Sequence, residues 1–269
     1  MFGLVYLRMG TSQVSLQNRT GILFFMAMNQ AFGSSIDTAT VIPRQLQVVS
    51  RERAAKMYGV LPFYMANFGS SLLLQTPMQL LNAALVYFMV NLRPTPEAFF
   101  VYFGILLLES QCAVALGMLL SAAIKSTEVA PQVAPAVVVL FLMFSGYFLN
   151  EASIPVWLTW LSNISFIGWT FQALCINEFQ GRAFDCDGPA GESFCFDGDT
   201  WLATLNFDEG TLGDRLLYLV YILAAFHAVA YLVLVLRAPK FLPLKPHGKA
   251  SDAVPAVPES PASVAPETV

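Results

Sequence analysis

Charge is what this sequence has least of. Charged residues make up 12% of the 269 positions, about half the usual quarter of a soluble chain. The balance is slightly acidic, with 14 Lys and Arg against 18 Asp and Glu, and no basic cluster or stripe occurs. That excludes a nucleic-acid-binding surface. Only two histidines are present, His227 and His247, far apart in sequence, so no metal or catalytic-triad constellation can be assembled from them. The sequence holds no G-x-x-x-x-G-K-[ST] phosphate loop and no glycine-rich nucleotide fingerprint. It therefore offers no catalytic residue, no metal site and no cofactor site, and reads as a non-enzyme.

What is abundant is apolar surface. Hydrophobic residues make up 56%, Phe occurs 22 times, and mean hydropathy is +0.60. A water-soluble fold cannot hide that much behind so few charges, which makes the chain an all-α polytopic membrane protein with the lipid bilayer as its first partner. A span needs roughly 20 mainly apolar residues. Five segments qualify: 20–41, 68–90, 98–122, 132–149 and 216–236. The 1–7 stretch is too short. A sixth stretch, 154–176, mixes Pro155, Asn163, Ser165 and Gly168 with Trp157, Trp160 and Trp169. That mixture suits an interfacial or re-entrant segment.

Basic residues set the orientation. With five spans, Arg44, Arg51, Arg53, Lys56, Lys125, Arg237, Lys240, Lys245 and Lys249 share one side. Arg8, Arg19, Arg93, Arg182 and Arg215 share the other. The richer side is cytoplasmic. The 150–215 segment then lies outside with Cys186 and Cys195, and an oxidising compartment suits that pair as a disulfide, within one chain or between two. Cys112 and Cys175 sit in apolar runs and read as packing residues. Positions 238–269 are rich in Pro, Ala, Val and Ser without helical period, which predicts a disordered cytoplasmic tail following a 1–237 membrane domain.

Ordered motifs carry a family resemblance. NRTGILFF at 18–25, Arg51-Glu52, Pro77, FSGYFLN at 144–150, IPVWLTWLSNIS at 154–165 and NEFQG at 177–181 follow one another as they do in one family. The chain resembles the ABC-2 type membrane domain of ABC transporter subfamily G, the white and breast-cancer-resistance-protein type of half transporter. Two departures stand out. Lys56 occupies the glycine position of the family pattern R-E-x-x-x-G-x-Y, and Gln75-Thr76 replace the acidic residue that many members carry before Pro77.

The resemblance implies a six-helix bundle whose first helix survives here only as a remnant near the start. It implies a permease in an ATP-driven exporter moving lipids, sterols or amphipathic small molecules, in the plasma membrane or an endomembrane. ATP and Mg would sit on a nucleotide-binding domain, supplied in cis or in trans, and the working unit would be a homo- or heterodimer. The family's ATPase domain, normally N-terminal on the same chain, is missing from this sequence. That fits a truncated half transporter, an incomplete stretch of a longer one, or a permease that borrows its ATPase. The alternative is a truncated, non-transporting protein that binds or regulates full-length half transporters.

Residue by residue, the resemblance places a flat substrate cavity at Phe25, Met28, Asn29 and Phe32, with Val139 and Leu142 opposite. It places a gate at Tyr147 and Phe148, and coupling to the ATPase at Arg51, Glu52 and Tyr58 in a basic cytoplasmic loop spanning 44–64. Other residues stay open between two readings. Glu109 would either hold a cationic substrate or proton, or pair with Gln111 or a neighbouring Ser. His227 is either a hydrogen-bonded packing residue or a pH sensor, and Asn29 and Gln30 either line a cavity or join helices. Asn18 and Asn163 begin glycosylation sequons, both too close to the membrane for use.

Overall fold

The computed structural model describes residues 5–55, 57–124, 126–148, 155–185, 196–207 and 210–237. The chain divides into two units, Met1–Pro239 and Lys240–Val269, and every described residue lies in the first. The expected tail therefore falls outside the described residues, as do Cys186 and Cys195.

Among the described residues the chain is helical, with one isolated bridge between Ser12 and Asp185. Helix α1 is Gln13–Ala54, α2 Val60–Val90, α3 Pro96–Ala123 and α4 Val129–Met143. A single 3-10 turn, Val156–Leu158, leads into α5, Thr159–Ile164, and α6, Phe166–Phe179. Helix α7 is Gly198–Thr204 and α8 Leu212–Leu236. Helices α2, α3 and α8 are long and apolar enough to cross a membrane, and α4 is apolar but only 15 residues long. Helix α1 is long enough, but Asn29, Gln30, Ser34, Ser35, Asp37 and Thr38 interrupt its apolar run.

Local signals fix the ends. Helix α3 starts with Pro96 at its first position and Glu97 in its first turn, where the missing N–H is harmless and the acid meets the helix dipole. Helix α8 carries a reciprocal capping box between Thr211 and Asp214. Asn91, at φ 60°, closes α2 in the left-handed region.

Helix α3 is the hub, packing against α1, α2, α4, α6 and α8. Its small residues let neighbours come close, as expected where lipid supplies no hydrophobic drive between helices. Gly117 is the tightest case. A Cβ there would stand 2.7 Å from Thr38 Cβ and 2.8 Å from Ser35 O, so α1 and α3 approach only because it is glycine.

Two expectations change. The 132–149 span is shorter as a helix, since α4 ends at Met143. The break has a physical cause: Gly146 takes φ +83°, and Ser145 and Phe144 lie against Gly168 of α6. The 44–64 loop is mostly helix, because α1 runs on through Ala54 and α2 begins at Val60. The 154–176 stretch, expected as an interfacial or re-entrant segment, is broken into a 3-10 turn and two helices. Ser165 is extended, accepts from the Gly168 N–H at 3.3 Å and donates to Phe141 O at 2.7 Å. Helix α6 that follows is buried along most of its length, yet its 14 residues reach only about 21 Å at 1.5 Å each.

Candidate functional site

Phe25, Met28, Asn29 and Phe32 recur at i, i+3, i+4 and i+7 of α1 and so share one face. Asn29 is exposed and the other three are half-buried, which leaves this face open along its centre. Helix α4 packs against α1 and carries an exposed Val139 and a buried Leu142. Gln30 does join helices, donating to Ser34 Oγ at 3.0 Å and to Gln79 Oε1 of α2 at 3.4 Å.

Tyr147 and Phe148 follow the end of α4, both partly exposed. They form an aromatic cluster with Phe24, the neighbour of Phe25. Tyr147 stacks on Phe24 with centroids 4.1 Å apart, and Phe148 meets the same ring edge-on at 5.4 Å. Phe171 of α6 closes the cluster at 5.5 Å from Phe24. The structure thus brings the expected gate pair to the end of the expected cavity face.

The residues expected to couple to an ATPase gather at the other end of α1. Arg51 is exposed, and Tyr58 donates a hydrogen bond to the Glu52 carboxylate. That bond, ahead of the smaller effects of burial and nearby charge, holds the Tyr58 hydroxyl above its ordinary pKa. Nearby, Arg53 and Arg237 line a pocket of about 400 Å³ with Pro43, Leu46 and Leu234, and Arg237 donates to Ala123 O.

Sequence reasoning missed a buried charge cluster. Glu178 of α6 accepts from Arg19 at 2.6 Å, from Arg182, and from the Arg93 backbone N–H at 2.9 Å. Arg19 also donates to Asn91 O at 2.9 Å and to Met9 O and Gly10 O at 3.2 Å. One carboxylate thereby ties the start of α1, the α2–α3 connection and the end of α6. Three of the arginines assigned to the outer side meet here. The signal was present in the NRTG and NEFQG motifs, which supply the two partners.

Glu109 corrects an expectation. It is fully buried, and neither carboxyl oxygen has a hydrogen-bond partner. Gln111 cannot serve, because residues two apart point to different sides of a helix, and its own amide is also unpartnered. His227 fits the packing reading: its Nδ1 lies 2.6 Å from the Tyr64 hydroxyl.

The ABC-2 type transporter family model matches residues 1–179. The chain belongs to the ABC-2 type transporter family. Within it the relatives are subfamily G proteins, as the motifs implied. ABC transporter G family member 7 of Arabidopsis thaliana is 33% identical over 248 residues, covering 91% of this chain and 33% of that protein. Protein white of Drosophila melanogaster is 31% identical over 246 residues, covering 88% and 35%. The broad substrate specificity ATP-binding cassette transporter ABCG2 of Mus musculus is 29% identical over 192 residues, covering 70% and 28%. The chain spans about a third of the length of these relatives. The ABC-2 match accounts for α1 to α6, and so covers the proposed cavity face, the proposed gate pair and the Glu178 cluster apart from Arg182.

Proposed function

We propose that the chain is the permease part of an ATP-driven exporter for lipids, sterols or amphipathic small molecules. The observation that carries the proposal is the α1 face of Phe25, Met28, Asn29 and Phe32. It is apolar, aromatic, open, and bordered at one end by Tyr147 and Phe148. A second half transporter, the same or different, would cover this face and turn it into a cavity at the two-fold axis. Phe rings would stack on a flat ligand, and Asn29 would supply one orienting polar contact. Tyr147 and Phe148 of both halves would close the apolar constriction above.

The proposed topology has α1, α2, α3, α4 and α8 as five spans and α5–α6 as a re-entrant outer segment. The C-terminus is cytoplasmic. Two features support it. The Arg19, Arg93 and Arg182 groups gather around Glu178 at one end of α1, while Arg53 and Arg237 share a pocket near its other end. The short, buried α6 suits a segment that enters and returns.

ATP hydrolysis would come from a nucleotide-binding domain on the same polypeptide or on a partner, docked near Arg51, Glu52 and Tyr58. Charged rim residues would set its register and Tyr58 would anchor it. Pull-down of the tagged full chain from its native membrane tests this. The expected result is recovery of a subfamily G subunit or domain bearing a Walker A motif, with recovery weakened by Glu52→Arg. Recovery without any such motif would overturn the proposal and favour a non-transporting membrane protein.

A further inference from the structure

A second groove lies between α1, α2 and α3. At about 100° per residue, the α1 positions that line it, Asp37, Thr38, Val41, Ile42 and Gln45, fall roughly opposite the Phe25–Phe32 face. Its volume is about 220 Å³, and most of its wall is apolar, including Leu74, Val114 and Met118. That is smaller than a drug-sized pocket of about 300–1,000 Å³ and suits a single alkyl chain.

Part of the polar lining is already engaged. Thr38 Oγ1 donates to Ser34 O at 2.8 Å, Asn67 Nδ2 to Phe63 O at 3.0 Å and Ser71 Oγ to Phe68 O at 2.9 Å. These three donors are occupied by their own helices. Gln75 Oε1 is buried without a hydrogen-bond partner. Asp37 is the one charged residue of the lining, and both ion pairs among the described residues lie elsewhere, on Glu178. The nearest basic residue on its own helix is Arg44, about two turns further on.

Depth adds the last constraint. Asp37 follows Arg19 of the charge cluster by 18 residues, or about 27 Å of helix, close to the roughly 30 Å hydrocarbon thickness. With Arg19 at the outer boundary, Asp37 sits at the inner one, beside the apolar groove.

We propose that this groove binds amphipathic amines from the inner leaflet. The protonated amine, with three donors and no acceptor, pairs with Asp37 and uses Gln75 Oε1 as a second acceptor. The alkyl body lies along Val41, Leu74 and Met118. An anionic amphiphile would meet a like charge instead. The proposal rests on the membrane-transporter reading, but binding here needs neither ATP nor a partner domain, so a failure of transport does not decide it.

Photolabelling of the full chain in its membrane tests it. The probe is dodecylamine carrying a diazirine on the chain, compared with the corresponding dodecanol and dodecanoic acid. The amine should label peptides from 37–45, 67–75 and 114–118 more strongly than either analogue. Asp37→Asn should lower amine labelling up to about fivefold, as an ion pair of about 1 kcal/mol allows, and leave alcohol labelling unchanged. Leu74→Trp, at an exposed position, should block all labelling by filling the groove without touching the charge. Equal labelling by amine and alcohol would overturn the proposal. So would amine labelling unchanged in Asp37→Asn, or label confined to peptides of the Phe25–Phe32 face.

Discussion

Replacing Glu178 by Ala should destabilise the protein more than any surface change. Among the described residues Glu178 is the only carboxylate paired with Arg19, and both side chains are almost fully buried, at 2% and 0% exposure. The carbonyls of Asn91, Met9 and Gly10 would still accept from the guanidinium, but none carries a charge. Removing one partner of a buried ion pair costs about 3–5 kcal/mol, because the remaining charge stays buried and unpaired. At about 1.4 kcal/mol per tenfold, that shifts the folding equilibrium by two to more than three powers of ten. At about 2–4 °C per kcal/mol, the expected loss of thermal stability is about 6–20 °C. The assay is a thermal-stability scan of the detergent-solubilised protein by size-exclusion chromatography. Arg19→Met combined with Glu178→Leu should recover part of the loss, since it removes the fully buried charge and leaves only Arg182, 15% exposed, without its carboxylate. A loss below 1 kcal/mol in Glu178→Ala, or a double variant no better than the single one, would refute the argument.

Three further outcomes are expected. Phe32→Ala should cut transport by the assembled transporter while surface expression stays intact, read by flux and surface labelling on the same cells. Replacing Tyr147 and Phe148 together by Ala should raise basal ATPase activity or leak in a complex that includes an ATPase, because the apolar constriction loses both rings. Gly117→Val should lower stability by about 1–3 kcal/mol, as overpacking does, since a Cβ would stand 2.7 Å from Thr38 Cβ. Gly104→Val in the same helix, with nothing within 4 Å of the added Cβ, is the control and should change stability by less.

The apolar runs of α2, α3 and α8 were legible because uninterrupted hydrophobic segments of span length have few other physical solutions. The order of the NRTG, FSGYF and NEFQG motifs made the family legible, and the proposed cavity and gate positions rest on it. Other features were hidden from a linear reading. Arg19 and Glu178 lie 159 residues apart, and only the folded chain shows that one neutralises the other. Helix α4 stops at Met143 because Phe144 and Ser145 pack against Gly168, a contact that hydropathy does not encode. Helix α1 outruns its apolar stretch at both ends, since Gln, Arg and Ala continue a helix as readily as Leu does. The expected partner of Glu109 was misjudged for a geometric reason: sequence proximity to Gln111 does not make a helical neighbour. The groove at Asp37 was invisible because its walls come from three helices.

The central claim is that these helices are the permease part of an ATP-driven exporter. Reconstitution of the chain in liposomes, with and without a Walker A-bearing subfamily G partner, tests it most directly. The measured quantity is ATP-dependent movement of a fluorescent amphipathic probe across the bilayer. The account predicts movement only when the partner is present and its Walker A lysine intact, and reduced movement with Phe32→Ala in this chain. Robust ATP-driven movement by the 269-residue chain alone, or movement with the partner that is indifferent to Phe32→Ala, would contradict it.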